Sequence, residues 1–210
     1  MKTSINEVVK KLKKAYPNIK VALNYGNPLE ILVATILSAQ CTDKRVNMVT
    51  KTLFKKYKKL EDYANAVPKE FEQDIRSTGF YRNKAKNIIN SAKLIKKYFN
   101  GKVPDIMDDI LTLPGVARKT ANVVLGVAYG KVEGIVVDTH VIRLSLRLGF
   151  TKNEAPEKIE QDLMKIVPKK DWFNFSFLIQ SHGRNICIAR KPKCSECFLN
   201  AICPYYKKQG

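Results

Sequence analysis

The 210-residue chain has no long hydrophobic run. Its most apolar stretch, Ile31 to Leu37, is broken by Thr35 and falls far short of the ~20 residues that span a bilayer. No secretory leader is visible. The N-terminal apolar residues Ile5, Val8, Val9, Leu12 and Tyr16 follow helical spacing instead of forming one block. No stretch alternates apolar and polar residues as a half-buried strand does, which argues against a β or α/β fold. Low-complexity tracts and fixed-period repeats are missing too. Acidic residues are scarce, 19 against 38 Lys and Arg, for a net charge of +19. Lysine-rich composition alone tends to raise Glu alongside Lys, so this imbalance points to a polyanionic partner. Nucleic acid is the first reading, with an anionic membrane surface or plain compositional bias as rivals. The expected location is cytoplasmic and nucleoid-associated, where thiols stay reduced.

What is present reads as helix, punctuated by proline. Ser4 and Glu7 have the spacing of a capping box, and Pro17 ends that first helix. Pro28 opens an apolar helix, LEILVATILSA, and Thr42 or Asp43 caps the next, which runs towards Tyr57. Pro68 suits a first helical position before a short helix ending at Gly79. Residues 81–99 carry Ala85, Ile88, Ile89, Ala92 and Ile95 on one face, closed by Asn100-Gly101. Further helices are predicted at 105–111, 118–130, 139–148, 156–167 and 171–186, with GIVV (134–137) as an extended link. The fold class is therefore all-α, with about ten helices.

Four of the five cysteines fall in the last 24 residues, as Cys187, Cys194, Cys197 and Cys203 with the spacing C-x6-C-x2-C-x5-C. In a reducing compartment such a cluster reads as a metal site. Structural zinc sites usually present two close pairs, whereas only one close pair exists here. A 4Fe-4S cube takes one thiolate at each corner and suits the looser spread, so it leads zinc. A metal here would also fix Arg190, Lys191 and Lys193, with Arg184 just before them, towards phosphates. Cys41 stands apart as a buried or half-buried free thiol. His182 is read as structural, and Trp172 and the other aromatics of WFNFSF (172–177) as core.

Residues 113–124 read LPGVARKTANVV. A glycine turn leading into a helix leaves backbone amides for an anion, and Gly115 lets the backbone approach a phosphate closely. Helix 105–111, this turn and helix 118–130 make a helix-hairpin-helix, a sequence-neutral grip on DNA. Arg118 and Lys119 would then be phosphate contacts. The stretch VDTH, however, places Asp138 at a helix start after apolar residues. Helix 118–130 is about 20 Å long and residues 131–138 span about 23–25 Å extended, so the chain can return Asp138 to Lys119. Arg118 and the positive helix end both favour the neutral amine that a nucleophilic lysine needs. Asp138 can serve as N-cap and catalytic carboxylate at once.

Taken together, LSAQCTD (37–43), TGFYRNKAKNI (78–88), LPGVARKTANVVL (113–125), VDTHVIRL (137–144) and HGRNICIARKPKC (182–194) resemble the endonuclease III family. These are iron–sulfur DNA glycosylases that also nick abasic sites. The resemblance runs nearly end to end. It implies Lys119 as nucleophile, Asp138 as the essential carboxylate and Cys187, Cys194, Cys197 and Cys203 as 4Fe-4S ligands. Gln40 falls on the residue that fills the gap left by a flipped nucleotide. Phe80 falls on the apolar wedge, where many relatives have Leu. Gly115, Ala117 and Arg118 in the hairpin, and His140 and Arg143 in VDTHVIRL, are further expected DNA contacts, with a packing role left open for His140. Ala117 departs from the family's second hairpin glycine and puts the local turn geometry in question. The implied architecture has two helical lobes flanking a DNA groove. Residues 22–132 form a six-helix barrel lobe with the helix-hairpin-helix (105–130), and residues 1–21 with 133–210 form a lobe with the cluster loop (187–203). The implied substrate is double-stranded DNA with damaged bases, oxidised or ring-saturated pyrimidines, or abasic sites, bound by a monomer without a membrane. A base-only mismatch or adenine glycosylase and a non-catalytic iron–sulfur DNA-binding module are the alternatives.

Overall fold

The computed structural model describes residues 4–208, and all regular structure among them is helical. The α-helices are α1 (Ile5–Ala15), α2 (Pro28–Leu37), α3 (Asp43–Lys56), α4 (Leu60–Ala64), α5 (Pro68–Asp74) and α6 (Tyr81–Tyr98). They continue with α7 (Met107–Leu111), α8 (Arg118–Tyr129), α9 (Thr139–Arg147), α10 (Pro156–Ile166), α11 (Trp172–Asn185) and α12 (Pro204–Lys207). The chain divides into two compact units, residues 21–133 and residues 1–20 with 134–210.

The 21–133 unit is built on α2. The Asn27 side chain accepts from the Glu30 amide at 2.9 Å, and Pro28 sits where no N–H is needed. Residues 31–37 are all buried, so α2 is apolar all round and can only lie inside its unit. Thr42 caps α3 by accepting from Arg45 N. The 18-residue α6 turns Ala85, Ile88, Ile89, Ala92 and Ile95 into the same core. Tyr57, Tyr63 and Phe71 close one side, with ring centroids 5.0 to 6.0 Å apart. The unit holds seven α-helices because a one-turn helix, α4, joins the six the sequence suggests. Five residues are too few to show a period. What marks α4 is Asp62 Oδ2, which accepts from the Lys58 and Lys59 amides at 2.8 and 2.9 Å.

In the other unit, Val8, Val9 and Leu12 of α1 share a core with Val141, Leu144, Ile159, Leu163, Phe175 and Ile179 of α9, α10 and α11. Lys13 also meets Asp171, next to the start of α11, at 2.5 Å. The expected capping box does not form: Ser4 makes no side-chain cap bond, and Glu7 lies 3.9 Å from Lys11 one turn on. Of the aromatics in WFNFSF, Phe175 and Phe177 are buried. Trp172 is half-buried, with its Nε1 donating to Val167 O at 2.9 Å. Residues 134–137 are buried without regular structure. The described residues contain no helix long and apolar enough to cross a membrane.

Candidate functional site

The hairpin is α7, a turn and α8. Leu113 and Val116 are buried and anchor the turn, while Ser91 Oγ of α6 donates to Pro114 O at 2.9 Å. Gly115 has φ +79, and a Cβ there would meet Asn87 Nδ2 at 2.8 Å and Asn87 Cβ at 3.0 Å. Both the left-handed backbone and the lack of space require glycine. Ala117, the doubtful residue, is the N-cap of α8 with φ −90 and ψ 170, an extended conformation open to any residue. Alanine is therefore unstrained here. It brings no side-chain acceptor to the helix start, where the first amides and the positive helix end favour an anion. Arg118 and Lys119 are the first two residues of α8 and are exposed, whereas Ala121, Val124 and Leu125 are buried. The helix thus faces the core with one side and presents Lys119 to solvent.

Gln40 and Phe80 stand on loops of the same unit, and both have left-handed backbones, φ 52 and φ 47. Non-glycine residues rarely adopt this region, and strain of that kind collects at functional sites. Phe80 follows Gly79, which has φ +70, and is 64% exposed, an unusual position for so large an apolar side chain. Gln40 is exposed as well.

Asp138 belongs to the other unit, as N-cap of α9. Its Oδ1 accepts from the His140 and Val141 amides, both at 2.9 Å. His140 is packed against Gly183 of α11, where a Cβ would come within 2.8 Å of its Nδ1. Burial lowers the basicity of this ring, partly offset by the charge of Asp138. Arg143, expected on DNA, is turned inward. Its Nη2 donates to Gly183 O and Cys187 O at 3.0 Å and lies 3.1 Å from His140 Nδ1. The guanidinium braces the chain where the cysteine segment begins. Arg184, Arg190, Lys191 and Lys193 are exposed along that segment, and Lys191 has φ 52.

Cys187, Cys194, Cys197 and Cys203 line a single recess. No three His, Cys, Asp or Glu side chains among the described residues are arranged to hold a single metal ion. The set is all thiol, which suits soft metals. Arg147 Nη1 donates to Cys187 Sγ at 3.2 Å, and the Leu199 amide to Cys197 Sγ at 3.4 Å, donors that suit thiolate acceptors. Burial, and then the charge of neighbouring cysteines, pushes the Cys194 and Cys197 thiols up, a cost that a bound cationic cluster offsets. These residues fit an iron–sulfur group. Sequence reasoning missed Arg147, which also donates to Ile188 O and Ala189 O and stacks over Tyr205 at 4.6 Å. His182, read as structural, is enclosed by its neighbours. That ring is buried, pushed down to about 4 by burial and so neutral at pH 7, and lies between Tyr16 Oη at 3.3 Å and Cys197 Sγ at 3.4 Å.

Known proteins share this arrangement. The model of the HhH-GPD superfamily of base excision DNA repair proteins matches residues 33–169, and the iron–sulfur binding domain of endonuclease III matches residues 187–203. The chain is 54% identical over 203 residues to endonuclease III of Synechocystis sp., covering 97% of this chain and 93% of that protein. It is 48% identical to endonuclease III of Bacillus subtilis over 194 residues, covering 92% and 88%. Among solved structures, a trapped endonuclease III–DNA covalent intermediate superposes with a TM-score of 0.93 at 45% identity, covering 98% of this chain and 96% of that one.

Proposed function

Because the chain belongs to the endonuclease III family, we read it as a base-excision DNA glycosylase with abasic-site lyase activity, and we propose that Lys119 is its nucleophile. The observation that carries the proposal is an exposed lysine on the first turn of α8, directly after a turn that only glycine can make. The amides of that turn and Arg118 hold the DNA backbone, while Lys119 does chemistry.

The target base lies within the stack, so its nucleotide must leave the duplex, at a cost of a few kcal/mol that is smallest at damaged pairs. Gln40 fills the gap and Phe80 enters the stack beside it. A large apolar ring held 64% exposed on a strained backbone is suited to that use. The Lys119 amine attacks the sugar C1′, and the C1′–base bond breaks with its electron pair going to the base. Asp138 stabilises the positive charge that grows on the sugar and takes the proton the amine sheds. Its Oδ1 is committed to the α9 cap, so Oδ2 carries this work. The C1′–O4′ bond then breaks, O4′ keeping the electron pair and taking the proton from Asp138, and the ring-opened imine between C1′ and Lys119 acidifies the 2′ proton. Its removal expels the 3′ phosphate, and hydrolysis of the imine frees Lys119.

Cys187, Cys194, Cys197 and Cys203 hold the 4Fe-4S cluster, which when bound fixes the 187–203 loop and its basic residues against phosphates. Arg190, Lys191 and Lys193 serve as those contacts. Substrates are oxidised or ring-saturated pyrimidines in duplex DNA, and the enzyme acts as a monomer on the chromosome. Base release and strand cleavage on duplexes carrying dihydrothymine, an abasic site or no lesion test this reading. Cleavage of the first two alone is expected. Base release without any strand cleavage would instead make the protein a base-only glycosylase.

A further inference from the structure

Gln40 and Phe80 lie forty positions apart, yet one buried side chain touches the roots of both loops. Lys84, on the first turn of α6, is only 4% exposed. Its Nζ donates to Leu37 O and to Thr78 O, each at 2.8 Å. Leu37 is the last residue of α2, three before Gln40. Thr78 ends the 3-10 turn Arg76–Thr78, two before Phe80. The ammonium therefore sits at the carbonyl ends of two helical segments, the ends that attract a cation. Its own amide donates to Phe80 O at 3.1 Å, so Lys84 is also tied into the helix that Phe80 begins.

Burial of this amine is costly and lowers its basicity. A methionine would fill a slot of similar length without that cost. Packing alone does not call for lysine, whereas a tie between two carbonyls from different loops does. Each loop then leaves the tie with a strained residue, Gln40 at φ 52 and Phe80 at φ 47. Such strain persists only where the surroundings over-determine it.

We propose that Lys84 is a positioning residue that locks the Gln40 and Phe80 loops into one register, so that the two side chains enter the DNA stack as a unit. The proposal rests on the gap-filling roles given to Gln40 and Phe80 above. Without the tie the loops move independently, and the open duplex is not held while Lys119 reacts.

The test compares single-turnover base release from dihydrothymine in a fully paired duplex and in an unpaired bubble. Lys84→Met should slow release from the duplex about ten- to hundredfold, the scale of losing one or two hydrogen bonds to a charged group. In the bubble, where no stack must be held open, the rate should return close to wild type. Gln40→Ala and Phe80→Ala should show the same pattern, and adding Lys84→Met to Phe80→Ala should slow release little further. Equal slowing of Lys84→Met on both substrates, or wild-type speed on the duplex while Phe80→Ala is slow, overturns the proposal and leaves the gap-filling roles standing. Wild-type speed of both Gln40→Ala and Phe80→Ala on the duplex removes those roles and the proposal with them. If Lys84→Met does not fold, Lys84→Leu, which keeps apolar bulk and has no donor, is scored by the same bubble-to-duplex ratio. A ratio above wild type supports the tie, and an unchanged ratio contradicts it.

Discussion

Residues 21–133 close around an apolar core that runs from Leu23 to Leu125, whereas the unit of residues 1–20 and 134–210 has a stretch that only edges its core. Of residues 186–203 only Leu199 is buried. That segment is held by Arg143 and Arg147 on main-chain carbonyls, by His182 beside Cys197, and by four thiols around one recess. The first unit gains its stability from area removed from water, which any well-packed aliphatic sequence supplies. The cysteine segment gains it from ligands and directed hydrogen bonds, which tolerate no substitution of type. This difference tells where the molecule is robust and where it depends on an added group.

Removing the metal ligands should break the comparison most. Cys197→Ser should lose the visible absorption of the cluster. Amides of 187–203 should then exchange roughly a hundredfold faster or more, since metal binding supplies much of the folding energy of a loop with a single buried apolar side chain. Amides of α2, α6 and α8 should keep their protection. Phe71→Ala and Phe175→Ala each empty a fully buried site, one per unit, and each should cost ~3–5 kcal/mol in denaturant unfolding. Only Phe175→Ala should also speed cluster loss. Gly115→Ala forces a Cβ onto Asn87 at a left-handed residue and should cost about 1–3 kcal/mol, with weaker binding of abasic-site duplex. The smallest effect should be favourable. Tyr63 carries a buried hydroxyl with no hydrogen-bond partner among the described residues, and burial raises its pKa. Tyr63→Phe should raise stability by up to ~1 kcal/mol in thermal unfolding.

The sequence made legible those features that rest on local chemistry. Pro28, Pro68 and Pro156 mark helix starts, Thr42 and Asp138 are caps, and the 81–99 pattern is a helix of nearly that length. Elements too short to show a period, α4 and α12, were not legible. The Ser4 box was a false signal, because a side chain of the right type does not have to turn back to the backbone. Among functional residues, the cysteines and the hairpin glycine stood out through their spacing. Arg143 read as a DNA contact because a positive charge in sequence does not reveal which way it points. Lys84 and Arg147 were hidden among 38 basic residues, and only burial and their carbonyl partners single them out. Ala117 raised a doubt that an extended backbone at that position removes.

The central claim is that Lys119, an exposed lysine on the α8 first turn, forms the covalent bond to the sugar. Borohydride reduction during reaction with an abasic-site duplex tests it most directly, because it fixes the imine as a stable cross-link. The wild-type protein should be trapped on the DNA. Lys119→Gln, which alters an exposed side chain and should fold normally, should give no cross-link while still binding the duplex. Trapping of Lys119→Gln at the wild-type level would place the nucleophile elsewhere and contradict the account.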